Sequence, residues 1–278
     1  MKVSICGCGW LGLPLAHYLK NQGMQVQGSK RTLADAQALS HNGILGFPLA
    51  LPLNKEAVEE LNDFFDCDVM VVNIPPGRKT LLSAQYAQSI LILCEEAKRK
   101  GCRRLIFIST TSVYGDCTGT VSEKTIPMPT TESGKAHYEI EQGLMATWGE
   151  QVTVLRLAGL IGPNRHPVKF LSGRSNIQQG GAPVNLIHQQ DCIRAITAII
   201  RSQPVQSVFH LAASQHPSRA DYYTAMAKLA GLAVPEFTDN CGENEKQVDA
   251  LFTCEQLGLV LDKDDLMQVK PELDDLKY

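Results

Sequence analysis

Three short stretches of this chain carry residue types whose spacing suits a phosphate-rich ligand. The first is Gly7-Cys8-Gly9-Trp10-Leu11-Gly12, a Gly-x-Gly-x-x-Gly turn. Glycine at the first position permits a tight turn. At the second it lets the backbone approach a pyrophosphate, and at the third it lets helix and strand pack closely. The second stretch is Ser29-Lys30-Arg31, about twenty residues beyond the turn, where a dinucleotide fold that prefers NAD sets an Asp or Glu on the ribose 2′-hydroxyl. Two cations and a hydroxyl suit a 2′-phosphate there, and a carboxylate would repel it. The third is Asn73-Ile74-Pro75, the start of the loop Asn73–Arg78 at the carboxyl end of an apolar run. Together these imply dinucleotide binding, with NADP as the expected cofactor and NAD as the alternative. Gly7, Cys8, Gly9, Trp10, Leu11, Gly12, Ser29, Lys30, Arg31, Asn73, Ile74 and Pro75 are the expected contacts. A plain strand–turn–helix, a solvated basic turn and a simple strand stop are the competing readings of the three stretches.

These residues need elements to hold them. Val3 and Ile5 alternate as in a strand, and Leu13–Leu19 has helical apolar spacing after the turn. A helix starting there directs free N–H groups and its positive dipole end at the turn. Gln25–Ser29 reads as a second strand, Leu33–Ser40 as a short helix, Gly43–Phe47 as a weak third strand and 55–65 as a helix. Asp68–Ile74 is a continuous apolar run, expected as a buried parallel strand that Pro75-Pro76-Gly77 terminates. Residues 81–99 form a long helix, apolar at Leu82, Tyr86, Ile90, Leu93 and Ala97 and closed by Lys98, Arg99 and Lys100 before Gly101. Arg104–Ile108 and Val152–Leu157 are further strands, Ser207–Leu211 a return strand, and 220–230 a helix offering Tyr222, Tyr223, Met226 and Leu229 for packing. Asp191 is expected to cap a helix Cys192–Arg201. A short helix candidate spans Asp249–Leu257, and the acidic tail with Asp262, Asp264, Asp265, Asp274 and Asp275 reads as solvated surface. Alternation of strands and helices predicts an α/β fold with a Rossmann-type doubly wound parallel sheet.

The bulk properties exclude several classes. A net charge of −3 over 278 residues and a pI near 6.2 give no general attraction to nucleic acid, and the basic residues form no long stripe. No apolar run approaches a membrane span, and no secretory signal precedes the first strand. The nine cysteines are odd in number and scattered, which favours reduced thiols and a cytoplasmic protein. Cys6 and Cys8 have no second pair at zinc spacing, so no metal site is expected.

Several segments in order resemble the extended short-chain dehydrogenase/reductase family, the NAD(P)-dependent epimerases and dehydratases. They are the glycine turn, the strand running into Ser109–Gly115, Glu123 ahead of Pro127 and Pro129, Leu155–Pro163, Asn185–Asp191 and Val208–Ala212. In closer detail the chain resembles an atypical, YeeZ-like subgroup. The resemblance implies an NAD(P)-dependent oxidoreductase- or epimerase-like protein acting on a small polar metabolite. It also implies a binding core over 1–160, with 188–212 returning to it, and a smaller substrate lobe from 161–187 and 213–278. The helices 81–99 and 134–148 are where relatives pair, which admits a homodimer.

The departure from the family pattern falls on its chemistry. The family uses Tyr-x-x-x-Lys, in which the phenol exchanges a proton with the substrate oxygen and the Lys lowers its pKa. In register from Pro129, the two positions here are Ser133 and His137. They share a helix face, being four apart, but a Ser hydroxyl without a base is a weak acid. Thr110 stands at the family's Ser/Thr position, whose hydroxyl binds a substrate oxygen; a strand-end hydroxyl bonding the backbone is the alternative. Thr110, His137 and Ser133 are the catalytic candidates, with Tyr114 the nearest other phenol. Arg165, His166, Lys169 and Arg174 suggest an anionic group on the substrate, with a solvated loop as the alternative. A second function class follows from the missing pair: a non-catalytic NADP-binding sensor or regulatory protein.

Overall fold

The computed structural model describes residues 1–53, 58, 61–77, 83–202, 204, 206–238, 241–242 and 245–273. The strands are β1 (Lys2–Cys6), β2 (Gln25–Lys30), β3 (Leu45–Pro48), β4 (Val69–Val72), β5 (Arg104–Thr110), β6 (Thr120–Val121), β7 (Val152–Leu157), β8 (Gly159–Ile161), β9 (Leu186–His188), β10 (Val208–Leu211) and β11 (Gln247–Val248). The helices are α1 (Gly12–Asn21), α2 (Leu33–Ala38), α3 (Asn62–Phe65), α4 (Ser83–Arg99), α5 (Glu132–Trp148), α6 (Val168–Leu171), α7 (Gln189–Ser202), α8 (Arg219–Leu229) and α9 (Leu251–Leu257).

Seven strands form one sheet in the order β3-β2-β1-β4-β5-β7-β10. The ladders β1–β2, β1–β4, β2–β3 and β4–β5 are parallel. The backbone bonds Val154 N–H to Ser207 O and Ala158 N–H to Leu211 O advance together, as parallel strands require. Chain order reverses between β1 and β4, the topological switch point of a doubly wound sheet. The burial follows from the sequence: β4 is buried at every residue, as expected of a strand covered on both faces. On one face Tyr86, Ile90 and Leu93 of α4 and Ile140, Leu144 and Trp148 of α5 pack with Met70, Val72, Leu105 and Phe107. Gly143 permits the close approach of these two helices, because a Cβ there would lie 2.7 Å from the Leu91 side chain.

The chain divides into two compact units. One comprises Met1–Val113, Pro129–Arg156 and Ile199–Phe209; the other comprises Tyr114–Met128, Leu157–Ala198 and His210–Tyr278. The second unit has its own core, including Ile161, Val168, Leu186, Tyr222, Met226 and Leu266, and two small parallel ladders, β6–β11 and β8–β9.

Several boundaries differ from the sequence reading. Gly43 adopts φ +64 at the end of a 3-10 turn, so β3 begins at Leu45. Of the helix expected over 55–65, α3 covers the end, while 54–57 and 59–60 lie outside the described residues. Arg78, Leu82, Asp274 and Asp275 also lie outside them. The helix α7 begins at Gln189, which puts Asp191 inside its first turn. The Asp191 carboxylate instead accepts the Asp262 and Lys263 N–H groups at 2.8 and 3.0 Å. Nor is the acidic tail simply solvated: Asp262 pairs with Arg194, and Asp264 accepts from the Ser214 N–H and hydroxyl. Leu229 is exposed and does not pack with Tyr222, Tyr223 and Met226, which are buried. No helix among the described residues is long and apolar enough to cross a membrane.

Candidate functional site

At the carboxyl ends of β1, β2 and β4 lies a cavity of about 330 Å³. Gly7, Cys8 and Gly9 line it from β1, Ser29, Lys30 and Arg31 from β2, and Asn73, Ile74, Pro75 and Gly77 from β4. Trp10, Leu11 and Gly12 continue the turn into α1.

Steric demands shape this turn. Gly7 has φ +92, and a Cβ there would lie 2.6 Å from Asn73 O. A Cβ on Gly12 would lie 2.1 Å from Gly7 O, so only glycine lets α1 start that close to the turn. Gly9 differs: a Cβ there would meet nothing within 4 Å. Its backbone therefore faces open space on the cavity side, and a phosphate has room to approach. The Ser29 hydroxyl accepts the Gly7 N–H at 2.9 Å, and Ser29 O accepts the Cys8 N–H at 2.8 Å. Ser29 thus fixes the turn, leaving Lys30 and Arg31 as the cations of the strand end. From the other side Asn73 donates its N–H to Cys6 O at 2.9 Å and its side-chain amide to Gly7 O at 3.4 Å. Cys8 is a packing residue: its sulfur fills the space above Gly28, where a Cβ would lie 2.3 Å away. Burial pushes its thiol up to about 11. Leu49, Ala50 and Leu51 also line the cavity. They follow β3, the next carboxyl end in the sheet order, which is the sequence signal that would have found them.

The catalytic candidates are placed by β5 and α5. The Thr110 hydroxyl accepts the Ser112 N–H and donates to the Ser112 hydroxyl, both at 3.1 Å. Gly134 brings α5 onto this loop, since a Cβ there would lie 2.8 Å from Ser112 O. Thr131 caps the helix by accepting the Gly134 N–H at 3.1 Å. Ser133 is exposed, whereas His137 is buried. The Ser133 carbonyl, not its hydroxyl, links the two: His137 Nδ1–H donates to it at 2.7 Å, which leaves the lone pair on Nε2. The imidazole lies 5.6 Å from the Tyr86 ring and 5.9 Å from the Phe107 ring. Burial lowers its pKa, so His137 is neutral near pH 7 and supplies no fixed positive charge.

One turn further along α5, Glu141 is fully buried. It accepts from the Ser109 hydroxyl at 2.5 Å and from Arg156 Nη2 at 2.7 Å. This pair ties the end of β5, α5 and β7 together. Its sequence signal is a charge inside an apolar run, Val-Thr-Val-Leu-Arg-Leu, which has to be paired when buried.

In the second unit Tyr114 is fully buried and donates to His210 Nδ1 at 2.9 Å. His210 Nε2 lies 2.6 Å from Asp249 O and 3.4 Å from Glu123 Oε1, two acceptors, so Nε2 carries the proton. Tyr114 is therefore no free phenol. The expectation of charge at His166 is also corrected. His166 is buried, Nδ1 accepts the Val168 N–H at 3.2 Å and Nε2 faces the Tyr222 hydroxyl at 2.9 Å. Burial pushes its pKa down to about 4, which leaves it neutral. Arg165, Lys169 and Arg174 remain exposed.

The family model of the NAD dependent epimerase/dehydratase family matches residues 4–202. The chain belongs to this family. Protein YeeZ of Escherichia coli strain K12 is 38% identical over 261 residues, covering 92% of this chain and 94% of YeeZ. Among solved structures, the UDP-glucuronic acid 4-epimerase of Bacillus cereus in complex with NAD superposes with a TM-score of 0.77 at 20% identity, over 97% of both chains. A functionally unknown conserved protein from Silicibacter pomeroyi gives a TM-score of 0.74 at 23% identity, over 96% of this chain and 95% of that one. These two likenesses establish the shared Rossmann-type fold.

Proposed function

We propose that this epimerase/dehydratase family member binds NADP in the 330 Å³ cavity and acts as an oxidoreductase- or epimerase-like enzyme on a small polar metabolite. The observation that carries this reading is the meeting of the glycine turn with the cationic end of β2 at the switch point of the sheet. The B. cereus epimerase, whose complex holds NAD, supports a nicotinamide cofactor. A nicotinamide, when bound, supplies a hydride donor or acceptor. The backbone of Gly7–Gly9 would receive the pyrophosphate, and Lys30 and Arg31 the 2′-phosphate. Thr110, held by Ser112, would fix the substrate oxygen. His137 Nε2 or a water would move the proton, with Ser133 beside it in the first turn of α5. The charges of Arg165, Lys169 and Arg174, all exposed, support an anionic group on the substrate. A homodimer would use α4 and α5, whose half-buried Leu91, Ile92 and Met145 offer apolar surface.

The test is calorimetric titration with NADPH and NADH of the wild type and of Lys30→Ala/Arg31→Ala. Loss of charge-assisted phosphate contacts should weaken NADPH binding by about 100-fold and leave NADH within a few-fold. Binding of neither nucleotide to the wild type, or an NADPH preference that survives in the double variant, overturns the assignment. A second reading, a non-catalytic NADP-binding sensor, is favoured by one observation: an exposed Ser133 and a neutral His137 stand where the family has Tyr and Lys. Hydride transfer that vanishes in Thr110→Ala separates the enzyme from the sensor.

A further inference from the structure

The amino ends of two inner strands of the same sheet hold a second arrangement of reactive groups. In the β4–β5 ladder Val69 pairs with Arg104 and Met70 with Leu105. Carried two residues back along both strands, the same register sets Cys67 beside Cys102. Their sulfurs are 3.5 Å apart. Adjacent strands lie about 4.8 Å apart, within the Cα separation of about 4.4–6.8 Å that a disulfide spans. Both residues hold still, because the Cys67 N–H donates to Phe65 O at 2.9 Å and the Cys102 N–H to Ala97 O at 3.0 Å.

The pair is nearly buried but not sealed, and its two thiols differ. Cys67 is 7% exposed and Cys102 4%, against 0% for Cys6, Cys94 and Cys192. Asp68, Val69, Arg103 and Arg104, the residues that follow each cysteine, line an open groove of about 710 Å³. Hydrogen bonding from Cys102 and the charge of Lys2 lower the Cys67 thiol pKa, whereas that same bond and burial raise the Cys102 thiol. Of the two, Cys67 is the one whose thiolate form is favoured, and the thiolate is the nucleophile.

We propose that Cys67 and Cys102 form a reversible dithiol site that a hydroperoxide oxidises to a disulfide across the entries of β4 and β5. The Cys67 thiolate attacks the peroxide oxygen, the O–O bond breaks, and the departing alkoxide or hydroxide takes a proton. Cys67 is then a sulfenic acid. The Cys102 sulfur attacks it, losing its own proton, and water leaves with the sulfenic oxygen. Two thiols and one hydroperoxide become a disulfide, water and an alcohol (a second water when the oxidant is hydrogen peroxide). A small thiol reductant reverses the change by exchange.

The experiment treats the full-length protein with hydrogen peroxide, alkylates the remaining thiols under denaturing conditions and maps the peptides by mass spectrometry. Nine thiols are present at the start. The expected result is a fall to seven, with a single linked peptide joining Cys67 to Cys102, and a return to nine after dithiothreitol. Cys67→Ser, conservative in size, should keep all eight of its thiols under the same dose, whereas Cys102→Ser should give no linked peptide and lose one thiol, as Cys67 stops at the sulfenic acid. A linked peptide between other cysteines, such as the exposed Cys241 and the half-buried Cys117, with Cys67 and Cys102 both alkylated, overturns the proposal. So does loss of two thiols in Cys67→Ser.

Discussion

Acid should weaken this protein through His166, by an amount that its surroundings set. The imidazole accepts the Val168 N–H at Nδ1 and directs its Nε2 proton to the Tyr222 hydroxyl. A proton added at Nδ1 would face the Val168 N–H, one donor against another, in a buried site. The folded-state pKa is about 4 and the ordinary value 6.5. The unfolded chain therefore takes up the proton first. Stability from this group is fully present above about pH 6.5 and is lost as the pH falls toward 4. At about 1.4 kcal/mol per pKa unit the whole effect is about 3 kcal/mol, of which about 2 kcal/mol is gone by pH 5. The assay is urea unfolding followed by far-UV circular dichroism at pH 8 and pH 5, on the wild type and on His166→Gln. The variant is less stable at both pH values, but the gap between the proteins should narrow by about 2 kcal/mol at pH 5. Titration of His137 and His188, which burial also shifts downward, is common to both and cancels. A gap that is the same at both pH values would falsify the account of His166 as a buried neutral base.

Glu141→Ala strands the Arg156 guanidinium in the core and should lower stability by roughly 3–5 kcal/mol, read from the same urea transitions; Glu141→Gln, which can still accept from Ser109, should cost less. Ser29→Ala removes the acceptor of the Gly7 N–H, and the expected loss of about 1 kcal/mol should weaken NADPH and NADH binding equally in calorimetry. Loss of NADPH affinity alone would show that the hydroxyl serves the 2′-phosphate instead. In Arg165→Ala and Arg174→Ala, affinity for an anionic small-molecule substrate should drop about tenfold for each substrate contact removed; unchanged affinity in both variants removes the case for an anionic substrate.

Local chemistry made much of the fold legible. The β1–turn–α1 unit follows from alternation, glycine spacing and helical periodicity within the first 21 residues, and α4 follows from its apolar stripe and its Lys-Arg-Lys-Gly end. What escaped the reading is what sequence distance hides. Tyr114 and His210 are 96 residues apart, His166 and Tyr222 are 56, and Cys67 and Cys102 are 35. Only the packing of the folded chain brings such residues together. Two-residue ladders such as β6–β11 are too short to leave a periodic trace. Asp191 misled for a different reason: an Asp near a helix start suits both a cap and a tether. The choice was made by backbone N–H groups 71 and 72 residues downstream. The cationic reading of His166 failed because sequence alone does not reveal burial.

The bond between the Ser29 hydroxyl and the Gly7 N–H has a bearing on how this protein can change. In the proposed cofactor site, one strand end would both shape the cradle for the pyrophosphate and present the cations that sort one dinucleotide from the other. Substitutions that introduce an acidic residue at position 29 to recruit NAD would remove the anchor of the glycine turn in the same stroke. On that proposal, cofactor choice and overall nucleotide affinity would not be independent traits. A lineage, or an engineer, that seeks to alter the first must work through Lys30 and Arg31 and leave the neighbouring serine in place.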